Sequence, residues 1–175
     1  MLFRSRGAGT LAKTGANRAL WGTSVATFAL GTGSMIDVQA GIFTASSNSN
    51  EVWTSNLSDL NVASGARFAV VEGAVRVDAL TGAGDVTVGY AGGLGSLTLG
   101  VDNHTAGAYS TAGTATFSGV IADTGVSAIG SLTKAGTGTQ VLSGVNTYAA
   151  AMTVSTGTLA IADAAGLGTT AAGTT

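Results

Sequence analysis

The 175-residue chain contains no cysteine, no proline, a single histidine and only 9% charged residues. Each shortage closes off a class of protein. Without cysteine there is no disulfide to form or misform during export. One histidine and no thiol cannot supply the several ligands of a zinc centre. Seven Lys and Arg against nine Asp and Glu leave a net charge of −2, and the densest basic spot is Arg4 with Arg6. Nucleic-acid binding runs on counterion release at a basic patch, so no nucleic-acid partner is expected. No run of about 18 apolar residues occurs, so no membrane-spanning helix is expected. The opening Met1-Leu2-Phe3-Arg4-Ser5-Arg6 lacks an apolar signal core, which leaves a chain that is not secreted or a piece of a longer secreted one. With proline missing, the breaks between segments fall to glycine.

What is present is glycine, 28 residues of it, together with 45% hydrophobic residues. A disordered glycine-rich linker lacks such apolar content, so this sequence is built to pack. No window places apolar residues at helical spacing over three turns, and the alanine run near Tyr148–Met152 is short. Period-two alternation is strong instead. Val75-Arg76-Val77, Val86-Thr87-Val88 and Leu97-Thr98-Leu99 put apolar side chains on one face and Arg or Thr on the other. Turns such as Thr81-Gly82-Ala83-Gly84 and Ser155-Thr156-Gly157 separate the segments. The three clearest pairs fall eleven residues apart, and an interval of 22 relates Val77, Leu99 and Ile121. That is close to one coil of a parallel β-helix. An antiparallel meander gives the same step, but no Asn-Gly or Asp-Gly hairpin turn joins two strands. At about 20–25 residues per coil, roughly seven to nine coils are predicted, about 35–40 Å in all. The expected fold class is all-β, a single parallel β-helix (solenoid) domain over residues 1–175.

The chain also repeats itself. Gly9, Leu11, Lys13 and Gly15 recur 121 residues later as Gly130, Leu132, Lys134 and Gly136. Residues 8–22 read as a partial copy and 130–168 as a fuller one. Such units cannot bury an apolar face alone and must stack on neighbours. Residues 46–61, SSNSNEVWTSNLSDLN, are polar and read as a loop projecting from one coil or as coils with polar turns.

Within the fuller copy, Leu132-Thr133-Lys134, Gly136, Gly138-Thr139, Leu142-Ser143-Gly144, Asn146-Thr147-Tyr148, Val154, Gly157-Thr158-Leu159 and Leu167-Gly168 follow one another in an order that resembles the passenger-associated repeat of bacterial autotransporters. Leu80–Asn103 and Phe117–Gly125 are similar to segments that precede such a repeat. The resemblance implies a right-handed parallel β-helix, exported with the help of its own C-terminal barrel domain and held at the cell surface or secreted. It also implies structural roles for Leu132, Lys134, Gly136, Gly138, Leu142, Gly144, Asn146, Tyr148, Gly157 and Leu159. One departure is Ala149-Ala150-Ala151-Met152, where the family has polar turn residues.

Candidate chemistry is sparse. His104 with Asp102 and Ser110 has the residue types of a hydrolase triad, but no Gly-x-Ser-x-Gly elbow accompanies them, and a solvated loop histidine is expected. Asp78, Asp85 and Asp102 are the acids from which a polysaccharide-cleaving pair could be drawn. Asp78 shares a face with Arg76, so an exposed ion pair is expected, and similarly for Glu72 and Arg67. Gly82-Ala83-Gly84 precedes a strand rather than a helix, so it is no phosphate cradle, and no cofactor is predicted. Trp53, Tyr90 and Tyr109 are the candidate ligand-binding residues, each able to stack on a sugar ring if exposed. The leading expectation is a non-catalytic, adhesive or stalk-forming surface scaffold. The partners expected are a host or glycan surface and, through end-to-end self-association, further copies of the chain. A filament subunit and a carbohydrate-active enzyme are the alternatives.

Overall fold

A strand of four residues cannot hold together alone, because its peptide groups need partners and its apolar side needs cover. This chain solves both demands by returning to the same place at every turn. A computed structural model describes residues 8–21, 27–45, 50–90, 95–104, 113–125 and 130–169. Coil one carries β1 (Thr10–Lys13) and β2 (Arg18–Leu20), and coil two β3 (Met35–Val38) and β4 (Ile42–Ala45). Coil three has β5 (Asp59–Val62), β6 (Arg67–Val70) and β7 (Ala74–Val77). Coil four has β8 (Leu80–Gly82), β9 (Asp85–Val88) and β10 (Ser96–Leu99). Coil five has β11 (Thr114–Phe117), β12 (Val120–Asp123) and β13 (Ser131–Lys134). Coil six has β14 (Thr139–Leu142) and β15 (Met152–Val154), and β16 (Thr158–Ile161) opens coil seven.

The strands fall into three sheets, and each described strand pairing is parallel. The first sheet runs β1-β3-β5-β8-β11-β14-β16, the second β2-β4-β6-β9-β12, and the third β7-β10-β13-β15. In coils one and two the third face is held by single bridges, Thr27 to Val52 and Val52 to Ala74. No helix occurs among the described residues. The fold is the all-β parallel solenoid that the alternation predicted.

The core is a set of like-on-like columns. Phe43 lies over Phe68, with ring centroids 5.6 Å apart and planes 5° from parallel. Val86 and Ile121 continue that column. On the third sheet Val75, Leu97, Leu132 and Met152 stack in register. All of these are buried.

Two expectations about spacing need correction. Leu99 does lie over Val77, 22 residues earlier. Ile121, however, lies over Val86 on the second sheet, and the residue over Leu99 is Lys134. The step from coil four to coil five is longer, since Phe117 sits over Gly82, 35 residues on. The segment 46–61 is not a projecting loop where it is described: residues 46–49 lie outside the described residues, but Glu51, Trp53, Asn56 and Ser58 are buried in the wall and β5 begins at Asp59.

That long coil disturbs the first sheet. β8 and β11 share a single register pair, Phe117 with Gly82. Gln140 repairs the gap. It occupies an inward position of β14, fully buried, beneath the small Ala115 of β11. Its amide reaches past Ala115 to coil four, where Oε1 accepts from Leu80 N (3.2 Å) and Nε2 donates to Leu80 O (2.9 Å). Replacing Gln140 by Leu keeps the volume and strands both peptide groups of Leu80. Urea denaturation of Gln140→Leu should show a loss of roughly 1–3 kcal/mol; equal or greater stability would show that the side-chain amide is not what closes the ladder.

Candidate functional site

Both repeat copies place a lysine at the last inward position of a strand. Lys13 ends β1 in register with Val38, and Lys134 ends β13 in register with Leu99. Their stems continue apolar columns, and both residues are buried. The ammonium then turns onto the carbonyls of the following turn. Lys13 Nζ donates to Thr14 O (3.0 Å), Gly15 O (2.7 Å) and Ala40 O (2.9 Å). Lys134 Nζ donates to Ala135 O and to Gly136 O (3.0 Å). Burial lowers the pKa of Lys134, and the nearby Asp78 charge offsets part of that fall. The two copies sit on different faces of the solenoid, Lys13 on the edge strand of the first sheet and Lys134 on an inner strand of the third. The motif is therefore a local corner device that works at either place.

The other repeat residues serve the same corners. Gly136 adopts φ 62°, and a methyl group there would lie on the carbonyl of Gly100 in the coil below. A methyl on Gly144 or Gly157 would meet Gly119 O or Gly136 O in the same way. Asn146 stands in for a strand. Its Oδ1 accepts from Ile121 N (2.7 Å) on one side, and its Nδ2 donates to Gly166 O (2.7 Å) on the other. Tyr148 is 1% exposed, and burial raises its phenol pKa. Leu132 and Leu142 are core residues, and Leu159 packs against them half-buried.

Asp78 and His104 depart from expectation, since both are sealed inside at 1% and 0% exposure. Asp78 follows β7 and turns its carboxylate into the corner of the next coil. Its Oδ1 accepts from Asp102 N (2.7 Å) and His104 N (2.9 Å), and lies 3.6 Å from His104 Nδ1. Asn103 and His104 both take positive φ, 61° and 53°, so this turn is a strained one for non-glycine residues. Burial pushes the Asp78 carboxyl up, but the hydrogen bonds and charge of the turn outweigh it and hold the pKa below its ordinary value. Asp78 is thus not paired in solvent with Arg76, and His104 is not a solvated loop residue. Ser110 lies outside the described residues. Asp85 instead forms an exposed pair with Arg67 at 3.1 Å on the second sheet, away from Asp78 and Asp102. No group of three or more potential metal ligands exists among the described residues.

Of the aromatic candidates, Trp53 is enclosed: 1% exposed, stacked on Phe28 at 4.0 Å, its Nε1 donating to Glu51 Oε2 (3.2 Å). With its ring buried it offers no face to a sugar. Tyr90 is 46% exposed. Tyr109 lies outside the described residues. What the sequence did not single out is a cleft of about 430 Å³ on the outer side of the second sheet. Arg18, Thr44, Arg67, Ala69, Thr87 and Asp123 are among its lining residues. The signal was available in principle: Arg18, Ile42, Arg67 and Asp85 form one outward column once the register is known.

Two predictions follow from the corner chemistry. A methyl group on Gly138 would press on the His104 ring (2.7 Å) and on Asn103 O (2.8 Å). Gly138→Ala should therefore lower stability by about 1–3 kcal/mol, read from the thermal midpoint. The depressed Asp78 pKa means its stabilising contribution is complete above the ordinary carboxylate value and is lost as pH falls through the lower folded value. The urea midpoint should drop below about pH 4, and the drop should be blunted in Asp78→Asn; a variant with the same acid sensitivity as the parent would refute this role.

Comparison with known proteins agrees with the corner geometry. A family model, the passenger-associated-transport-repeat, matches residues 132–161. These run from the first core leucine of β13 through β14 and β15 to the end of β16. Neither the curated proteins nor the solved structures give a match. The matched family is a repeat of autotransporter passengers and not a catalytic one. Residues 132–161 thus match the passenger-associated-transport-repeat, consistent with an autotransporter passenger repeat, and lie within a parallel β-solenoid.

Proposed function

We propose that the chain is a non-catalytic scaffold displayed at the cell surface or secreted, a stiff rod that carries or forms an adhesive surface. One observation carries this reading: the polar groups that chemistry would need are occupied in joining one coil to the next. Lys13 and Lys134 clasp corner carbonyls, Asp78 caps the turn that holds His104, and Asn146 and Gln140 complete hydrogen-bond ladders. The repeat match supports an exported location. The carbohydrate-cleaving alternative loses its first candidate acid, because Asp78 faces inward and its carboxylate is already committed.

A rod of stacked coils suits export. Each coil is stabilised by its neighbours, so folding propagates from one end as the chain emerges. Its partners in this reading are a barrel domain that carries it across the outer membrane and a host or glycan surface that it meets outside. The test is location. Antibodies against residues 130–168 should label intact cells of the source organism, and protease added outside should remove the signal. Labelling that appears only after lysis would overturn the reading.

A further inference from the structure

The described residues include five cations: Lys13, Arg18, Arg67, Arg76 and Lys134. The two lysines are buried in corners. Of the three arginines left for the surface, Arg18 and Arg67 line the same cleft. The lining thus holds two positive charges, Arg18 and Arg67, against one negative, Asp123, in a chain of net charge −2. The two arginines stand in one outward column, separated by Ile42, so they are two rungs apart, roughly 10 Å. Arg18 makes no ion pair among the described residues, and its Nε donates to Thr44 Oγ1 (2.8 Å), which lays the guanidinium across coil two. Among the described residues Arg67 pairs with the exposed Asp85, a contact that solvent and salt screen. Ile42 fills the space between them, and beside that column lie the buried Thr44 and Ala69 and the partly exposed Thr87. The acids lie toward the other end, with Asp85 in coil four and Asp123 in coil five. One Asp123 oxygen already accepts from Ala149 N (2.7 Å).

We infer that the outer face of the second sheet, over coils one to three, is a binding site for a linear saccharide bearing carboxylates. The partly exposed Ile42 between the guanidiniums offers a ring an apolar face, and the Thr87 hydroxyl at the border with coil four meets a sugar hydroxyl. Two guanidiniums at a spacing set by the rungs meet acids repeated along an extended polymer. The negative end of the cleft fixes which part the acidic groups occupy. This rests on the surface reading only for the ligand's access to the site. The binding test uses the purified chain, so its failure would leave the location result standing, and the reverse holds too.

The probe is a short oligogalacturonate, titrated calorimetrically against the full chain, with its methyl ester and poly-glutamate as comparators. The acid form should bind, more weakly as salt rises, and the two comparators should bind far less. Arg18→Gln and Arg67→Gln should each weaken binding about tenfold. Asp85→Asn should tighten it several-fold by releasing Arg67. Arg76→Gln, the same charge change on the third sheet, should leave it unaltered. These are surface substitutions, and unchanged circular dichroism should accompany them. The inference is overturned by absence of binding, by equal binding of the ester or of poly-glutamate, by insensitivity to Arg18→Gln and Arg67→Gln, by weaker binding in Asp85→Asn, or by an equal effect of Arg76→Gln.

Discussion

The constraint on which this molecule depends is that every inward rung must hand its peptide groups to the rung above and the rung below. In a parallel solenoid those bonds supply the continuity, because no strand among the described residues exceeds four residues. Wherever a coil departs from the common path, the buried N–H and C=O groups left behind would each cost more than a typical net hydrogen bond contributes. The chain meets this at three places with the same chemical group. Asn56 accepts from Leu30 N and donates to Arg76 O. Asn146 accepts from Ile121 N and donates to Gly166 O. Gln140 does both for Leu80. A carboxamide carries the donor and the acceptor of a peptide, so it can replace one in the ladder.

The same constraint explains the corners. A coil that turns three times must stack its turns as closely as its strands. Backbone passes over backbone at Gly100, Gly136 and Gly157, where a methyl group would strike a carbonyl of the adjacent coil. Turn carbonyls that face the interior need donors, and a buried lysine supplies several from one apolar stem. Placing that charge inside is costly, which is the physical origin of the lowered Lys134 pKa, and the Asp78 carboxylate nearby offsets part of the cost. The repeat is thus a self-contained corner, and its two copies can occupy different corners.

Committing the polar groups to continuity leaves the outward columns as the surface that meets solvent. In the proposed reading, recognition falls to clefts along those columns, such as the one on the second sheet. Such columns impose a repeat on whatever binds them. That geometry suits extended ligands, since successive groups of a polymer meet successive rungs.

The sequence alone determined the architecture. Alternation marks short half-buried strands, and the self-similar segment together with the lack of two-residue hairpin turns points to stacking rather than to a meander. The structural roles of Lys134, Gly136, Gly138 and Asn146 were legible through the repeat they belong to. Tertiary structure decided the rest. The interval of 22 held from Val77 to Leu99 and broke at Ile121, because coil lengths vary and only hydrogen-bond register says which residue lies above which. Trp53 looked exposed among polar neighbours, yet Phe28, one coil away in space and 25 residues away in sequence, covers its ring. Asp78 and His104 read as surface residues in a string and Gln140 drew no reading at all, whereas their partners come from other coils. Arg18 and Arg67 come to line one cleft only through a register that places them two rungs apart. Local sequence states which way a side chain alternates, and stacking alone states what it meets.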